Sequence, residues 1–180
     1  MTQLWNESGK LIAATVIKSY PNKVIQDGER KLVVAAVNGK TMKPQAKLAK
    51  EIDSKKGIWS KNIETDQDTL TVDQFSVGET VAISGTTKGK GFAGTIKRHN
   101  FHRGPSSHGS NNVRQPGSIG AQEPQRVPLG QKMAGHMGHQ NLTVRGNKVL
   151  IIKPEEQLIV VSGTVPGPTK GRVVIKETNR

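Results

Sequence analysis

Residues 86–140 have almost no hydrophobic periodicity, and that absence limits what the chain can fold into. Ile96, Phe101, Val113, Ile119, Val127, Leu129 and Met133 stand singly among Gly, Ser, Asn, Pro and basic residues. Fixing a backbone costs about 1–2 kcal/mol per residue, and this stretch has little apolar area to offset it. A structureless loop of such length is uncommon inside a compact domain. The expectation is an arm that takes its order from something outside itself.

The charge says what that something is. Residues 85–146 hold 9 basic side chains, all 5 His, 12 of the 20 Gly and a single acid, Glu123. Residues 1–84 carry 12 basic and 10 acidic side chains, and residues 147–180 carry 6 and 3, so the middle supplies +8 of a net +13. A field of that sign favours a polyanion, either nucleic acid or an anionic membrane surface. The membrane is the weaker option. Leu11 to Ile17 is interrupted by Thr15 and closed by Lys18, too short to span, and it lacks the flanks of a signal peptide. A soluble, cytoplasmic protein is expected. The absence of Cys fits a reducing compartment and excludes disulfides and thiolate metal sites.

The flanks read as strands. Leu11 to Tyr20, Lys31 to Val37, Thr69 to Phe75 and Thr80 to Ser84 are Val/Ile/Thr-rich runs, separated by Asp27-Gly28, Asn38-Gly39 and Val77-Gly78. Pro44 to Ile52 suits a short helix, with Leu48 and Ile52 on one face. Leu142 to Arg145, Lys148 to Ile152, Leu158 to Ser162 and Arg172 to Ile175 return to strand character. Their turns are Pro154-Glu-Glu-Gln157 and Pro166-Gly-Pro168. The residues alone therefore predict a β domain from 1–85 and 141–180, interrupted by a basic extension over 86–140.

Lys88-Gly-Lys-Gly-Phe-Ala-Gly94 contains a G-x-G-x-x-G at Gly89, Gly91 and Gly94. A dinucleotide site would need a helix next and an acid about 20 residues on. Instead Thr95 to Arg103 runs into Gly104-Pro105, leaving little room for a helix, and Arg114 lies near the acidic position. The better reading is that the glycines bring backbone close to phosphates, which Lys88 and Lys90 neutralise.

His99/His102 and His136/His139 are i, i+3 pairs, with His108 between them. A metal hydrolase needs further ligands and a general base; only Glu123 is at hand, among cations that repel a metal ion. His108-Gly-Ser110 suggests a nucleophile, but no acid is placed to orient the imidazole. Hydrogen bonding to phosphate or 2′-hydroxyl, or stacking on a base, suits these His better. No catalytic residue, cofactor, metal site or small-molecule substrate is expected.

Lys97, Arg98, Arg103, Arg114, Arg126, Lys132 and Arg145 are spaced by Gly, Pro, Ser and Asn. Any one of them could be ordinary solvated surface, but the set has almost no acids to pair with. Arg grips phosphate bidentately and stacks on bases; Lys acts as a point charge. Pro116-Gly117-Ser-Ile-Gly120 and Gly135-His-Met-Gly138 let a chain thread narrow grooves, and flexible linkers seldom carry so many Arg and His. The six aromatics, Trp5, Tyr20, Trp59, Phe75, Phe92 and Phe101, are too few for a base-stacking sheet. Trp5, Tyr20, Trp59 and Phe75 are expected in core or edge packing. Recognition should rest on phosphates, sugars and RNA shape.

Several motifs then occur in one order: Thr86 to Arg98, His108-Gly-Ser110, Arg114 with Pro116 to Gly120, Lys132-Met-Ala-Gly-His-Met-Gly138 and Val165-Pro-Gly-Pro168. Together they resemble the bacterial form of the universal large-subunit ribosomal protein L three family, most specifically from Gly85 to Pro168. Met1-Thr-Gln3 resembles the start of the family's first domain. The resemblance implies a mainly β fold: a six-stranded translation-protein-like β-barrel with a long, largely irregular loop extension. It implies a structural constituent of the large ribosomal subunit, cytoplasmic and ribosome-bound. Such a protein binds large-subunit rRNA and neighbouring ribosomal proteins, acts early in assembly, and reaches towards the peptidyl-transferase region. Carried onto this chain, the extension tip falls near Gly117 to Val127, with Lys88, Lys90, Lys97, Arg98, Arg114, Lys132 and His136 as rRNA contacts.

The sequence departs from the family pattern in three places. The family has several residues ahead of the position of Met1, so one barrel strand is expected to be lost or replaced. The stretch from Asn38 to Lys61 is shorter than usual. Ala121 to Arg126 is also short and carries the extension's only acid. The rivals to the ribosomal reading are a metal- or nucleotide-dependent hydrolase and a free-standing RNA chaperone with a similar barrel.

Overall fold

The computed structural model describes residues 1–178 except 7, 21, 28–29, 37–57, 63–68 and 124, and describes only the backbone of 26, 27, 30–36 and 58–62. The expected helix over Pro44 to Ile52 and the turn at Asn38-Gly39 lie outside the described residues.

The chain is mainly β. Its strands are β1 (Thr2–Trp5), β2 (Leu11–Lys18), β3 (Asn22–Asp27), β4 (Arg30–Ala36), β5 (Ile58–Asn62) and β6 (Thr69–Leu70), followed by β7 (Thr80–Thr86) and β8 (Phe92–Ala93). After a short helix α1 (Thr95–His99) come β9 (Gly135–His136), β10 (Asn141–Lys153), β11 (Leu158–Ser162) and β12 (Val173–Glu177). They form a six-stranded sheet in the order β1-β2-β11-β10-β7-β12, a four-stranded sheet in the order β5-β4-β3-β6, and the two-stranded ribbon β8-β9. Among the described residues no pairing joins β12 to β1, so the six-stranded sheet has two edges.

By its internal contacts the chain divides into two compact units. The first comprises Met1–Ile83, Val144–Val165 and Ile175–Arg180; the second comprises Ser84–Thr143 and Pro166–Val174. Among the described residues the core of the first unit is made by Ala14, Val72, Val81, Ile83, Val149, Ile159, Val160 and Val161. Strand β11, which pairs with β2 and β10 along its two edges, supplies three of these in succession, Ile159, Val160 and Val161, so both of its faces are covered. A strand covered on both faces reads as a continuous apolar run rather than an alternating one.

Three differences from the sequence expectations have local causes. Thr69 to Phe75 is not one strand: β6 stops at Leu70 and a 3-10 turn, Val72–Gln74, follows, with the Phe75 amide donating to the Val72 carbonyl at 3.2 Å. Asp73 and Gln74 interrupt the β-branched run there. Leu142 to Arg145 and Lys148 to Ile152 belong to one 13-residue strand, β10, which passes through Gly146 at φ +89° and shifts register between Val149 and Ile151. Trp5 is not packed: it is 74% exposed on β1, opposite Leu11.

Asn147 is a buried polar residue in this unit. Its side-chain amide donates to the Ser162 carbonyl and, at 3.4 Å, to the Thr164 carbonyl. The Lys148 amide donates to Ser162 Oγ at 2.7 Å. These bonds satisfy backbone groups where the β10–β11 ladder ends.

Candidate nucleic-acid interface

The second unit begins with a stem of facing chain segments. Ser84 Oγ and Thr143 Oγ1 are 2.8 Å apart, and Thr86 Oγ1 donates to Asn141 Oδ1 at 3.2 Å. The Thr87 amide donates to the Gln140 carbonyl at 2.9 Å, and the Gln140 amide returns a bond to Thr87 Oγ1 at 3.2 Å. Further out, the Lys90 amide donates to the Met137 carbonyl and the Met137 amide to the Gly91 carbonyl, both at 2.9 Å. Phe92 and Ala93 then pair with His136 and Gly135. The stem thus links Lys88, Gly89, Lys90 and Gly91 to His136, Gly138 and His139, residues about 50 positions apart in sequence.

Glycine is required at two stem positions. Gly138 has φ +75°, and a Cβ there would overlap the Lys88 carbonyl oxygen. Gly167, in the Val165 to Pro168 motif, has φ +108°, and its Cβ would lie 2.8 Å from the Thr86 carbonyl oxygen. Gly89 differs: its Cβ would meet only His139 Cβ, at an ordinary 3.6 Å.

The glycine loop does lead into a helix, contrary to expectation, but one of only five residues. Gly94 is its N-cap, and Asn100 ends it in the left-handed conformation at φ 58° and ψ 38°. Ala93 and Thr95 are buried beside it. The helix places Lys97 outward in water and turns two other candidates back onto the stem. Arg98 Nη1 donates to the Met133 carbonyl at 2.7 Å, and His99 Nε2 lies 3.0 Å from the same oxygen. A carbonyl only accepts, so Nε2 is the protonated nitrogen of His99. Phe101 lies 6.1 Å from the His99 ring, tilted by 45°.

Beyond the helix the remaining candidates spread out. The Gly104 amide donates to the Val113 carbonyl at 3.0 Å and closes a loop that carries His108 at its far side. His108 and Gly109 both have positive φ, 61° and 74°, the pattern of a type I′ turn. His102, Arg103, His108, Arg114, Gly117, Gly120, Arg126 and Lys132 are all exposed. Among the described residues the tip's hydrogen bonds are short-range, such as Ser118 Oγ to the Gly120 carbonyl at 3.1 Å and the Gln125 amide to the Gln122 carbonyl at 2.8 Å. Arg145 lies on β10 in the first unit.

Electrostatically the second unit is one-sided. It holds Lys88, Lys90, Lys97, Arg98, Arg103, Arg114, Arg126, Lys132, Lys170 and Arg172 against Glu123 alone. None of these cations pairs with a carboxylate among the described residues; the ion pair found there, Lys153–Glu156 at 3.6 Å, is in the first unit. Among the described residues no three His, Asp or Glu side chains come together as metal ligands, and no helix is long and apolar enough to cross a membrane.

Sequence reasoning left three features of this unit unassigned. Lys170 and Arg172 join it through the segment Pro166–Val174. The signal was the Pro-Gly-Pro run: Gly85, like Thr86, packs against that run, and a Cβ on Gly85 would come 3.0 Å from the Pro166 carbonyl oxygen. Phe92 is 80% exposed on β8.

Comparison with known proteins gives a consistent answer. The model of the family described as Ribosomal protein L3 matches residues 5–158. Large ribosomal subunit protein uL3 of Streptococcus mutans is 40% identical over 193 residues, covering 98% of this chain and 91% of that protein. The uL3 proteins of Carboxydothermus hydrogenoformans and Syntrophomonas wolfei are 39% and 38% identical, covering 98% and 99% of this chain and 92% of each relative.

Proposed function

The chain belongs to the ribosomal protein L3 family, and from that premise we propose that it is a structural component of the large ribosomal subunit that binds large-subunit rRNA directly through residues 86–140. The protein is not an enzyme. One observation carries the binding reading: ten cations and one carboxylate share a unit whose described cations have no acidic partner. Cations held apart on a glycine-rich scaffold avoid self-cancellation, and each remains free to replace a counterion on an RNA phosphate.

The extension anchors at the stem and runs out towards Gly117–Val127, the part that reaches towards the peptidyl-transferase region. Arm cations hold folded rRNA together early in assembly, while the first unit presents a surface to neighbouring ribosomal proteins. The six-stranded sheet closes as a translation-protein-like barrel through its two edge strands, β1 and β12. Because the chain has no Cys, an engineered pair between Thr2–Trp5 and Ile175–Glu177 tests closure directly. Rapid oxidation of the pair without loss of folding is expected; no register that oxidises would mean an open sheet.

The protein works in the cytoplasm as part of the ribosome. Sedimentation of cell extract at low salt should place it with large subunits. Finding it wholly in the free pool would favour a free-standing RNA chaperone.

A further inference from the structure

The β8-β9 ribbon leaves two rings on one face. Phe92 and His136 are directly opposite in its register, and opposite residues of an antiparallel pair project to the same side. In the neighbouring pair, Ala93 opposite Gly135, the Ala93 side chain projects to the other side, where it is 3% exposed. Phe92 is 80% exposed and His136 is exposed as well. The phenyl ring therefore forgoes nearly all the burial that would tie it to the fold. Its surroundings in the chain are Lys88, Gly89, Lys90 and Gly91, which bring cations and bare backbone but no apolar patch.

We infer that Phe92 and His136 form a stacking platform for an unpaired base of an RNA strand, with Lys88 and Lys90 holding the adjoining phosphates. A protein partner would need apolar neighbours around the ring to complete a contact. An RNA strand needs what is present, a π face beside positive charge, because every base has a face to stack and every nucleotide a phosphate to neutralise. The inference rests on the proposed rRNA-binding role of the extension and adds a base contact to it. The residues alone allow the His side chains to stack on a base but rest recognition mainly on phosphates, sugars and shape and give Phe92 no role.

The test is filter binding of the full chain to a deproteinised large-subunit rRNA transcript across a salt series, for wild type, Phe92→Ala, Phe92→Leu, Phe92→Trp and the double variant Lys88→Ala/Lys90→Ala. Phe92→Ala should weaken binding about 5- to 150-fold, the range for loss of one aromatic–base stack, with the salt slope unchanged. Phe92→Leu should lose nearly as much, and Phe92→Trp should bind like wild type. The lysine variant should instead lower the slope by about 2. Unchanged amide protection at Lys90 and Met137 confirms that each variant keeps the stem. If Phe92→Ala binds like wild type while the lysine variant loses slope, stacking is wrong and the extension still binds RNA. Full activity of Phe92→Leu would equally overturn stacking, in favour of a simple apolar contact. If neither variant differs from wild type, the binding role falls and the platform with it.

Discussion

Gly138 lies against the Lys88 carbonyl so closely that any Cβ would overlap the oxygen, and it does so at φ +75°. Gly138→Ala therefore meets a clash and a left-handed backbone together. The backbone penalty alone is about 1–2 kcal/mol. Hydrogen exchange at the Lys90 and Met137 amides should accelerate by about 5- to 30-fold, since both bonds lie just beyond this contact. Gly89→Ala, although Gly89 lies right beside Gly138, should leave those amides as they are, because its own Cβ would meet only His139 Cβ, at an ordinary 3.6 Å. Any loss of rRNA affinity in Gly89→Ala would then report close approach of RNA to the backbone rather than a change of fold.

Arg98 and Lys97 are neighbours with different work. Arg98 shares the Met133 carbonyl with His99, whereas Lys97 is exposed and has no partner among the described residues. Arg98→Ala should loosen the helix-to-stem contact by roughly 1 kcal/mol, the net worth of one such bond, and should also weaken rRNA binding. Lys97→Ala should leave exchange within the stem unchanged and lower the salt slope of binding by about 1. Equal effects of the two substitutions on stem exchange would contradict this division.

Salt dependence measures how many phosphates the extension neutralises. With 6–10 contacts, affinity should fall by about 10³–10⁵ between 50 and 200 mM salt, by the relation for duplex DNA. A chain that holds rRNA equally well at both concentrations would not be binding through its cations.

In the first unit Asn147 is the substitution to watch. Its buried amide donates to the Ser162 and Thr164 carbonyls, so Asn147→Ala leaves acceptors unmet at a cost of about 1–3 kcal/mol. Asn147→Asp should be worse, since a carboxylate facing carbonyls has no proton to give. The urea midpoint should fall in that order, without a change in rRNA salt slope.

Much of this was legible from residue order because charge and periodicity change at the same borders. β2, β7 and β11 are β-branched runs long enough to be recognised. β8 and β9 were not, being two-residue strands whose pairing depends on Gly138 and on bonds across some 50 residues. β1 and β3 were missed for a related reason: Thr2–Trp5 and Asn22–Asp27 mix polar and apolar residues, and partners elsewhere in the sheets decide their state. The candidate cations were visible as a set. That Arg98 and His99 turn inward to one carbonyl was not, since it depends on where Asn100 ends the helix.

The expectation that residues 86–140 take all their order from RNA can be divided by position. Near the stem, backbone bonds at Thr87, Lys90 and Met137 and the buried Ala93 and Thr95 supply local order without a partner. Towards the tip nearly every described residue is exposed, Leu129 fully so at 98%, and the bonds close only over two to three residues. Opening free energy follows such local contact density. In the free protein, exchange should therefore be slowest at the stem amides, faster from His102 to Arg114, and fastest from Gly117 to Gly130. Binding to rRNA should slow the outer region most, because an RNA surface supplies there the contacts that the chain lacks. Uniform protection along the arm in the absence of RNA would mean that the tip packs on contacts of its own. A stem that exchanges as fast as the tip would mean that its hydrogen bonds also wait for RNA.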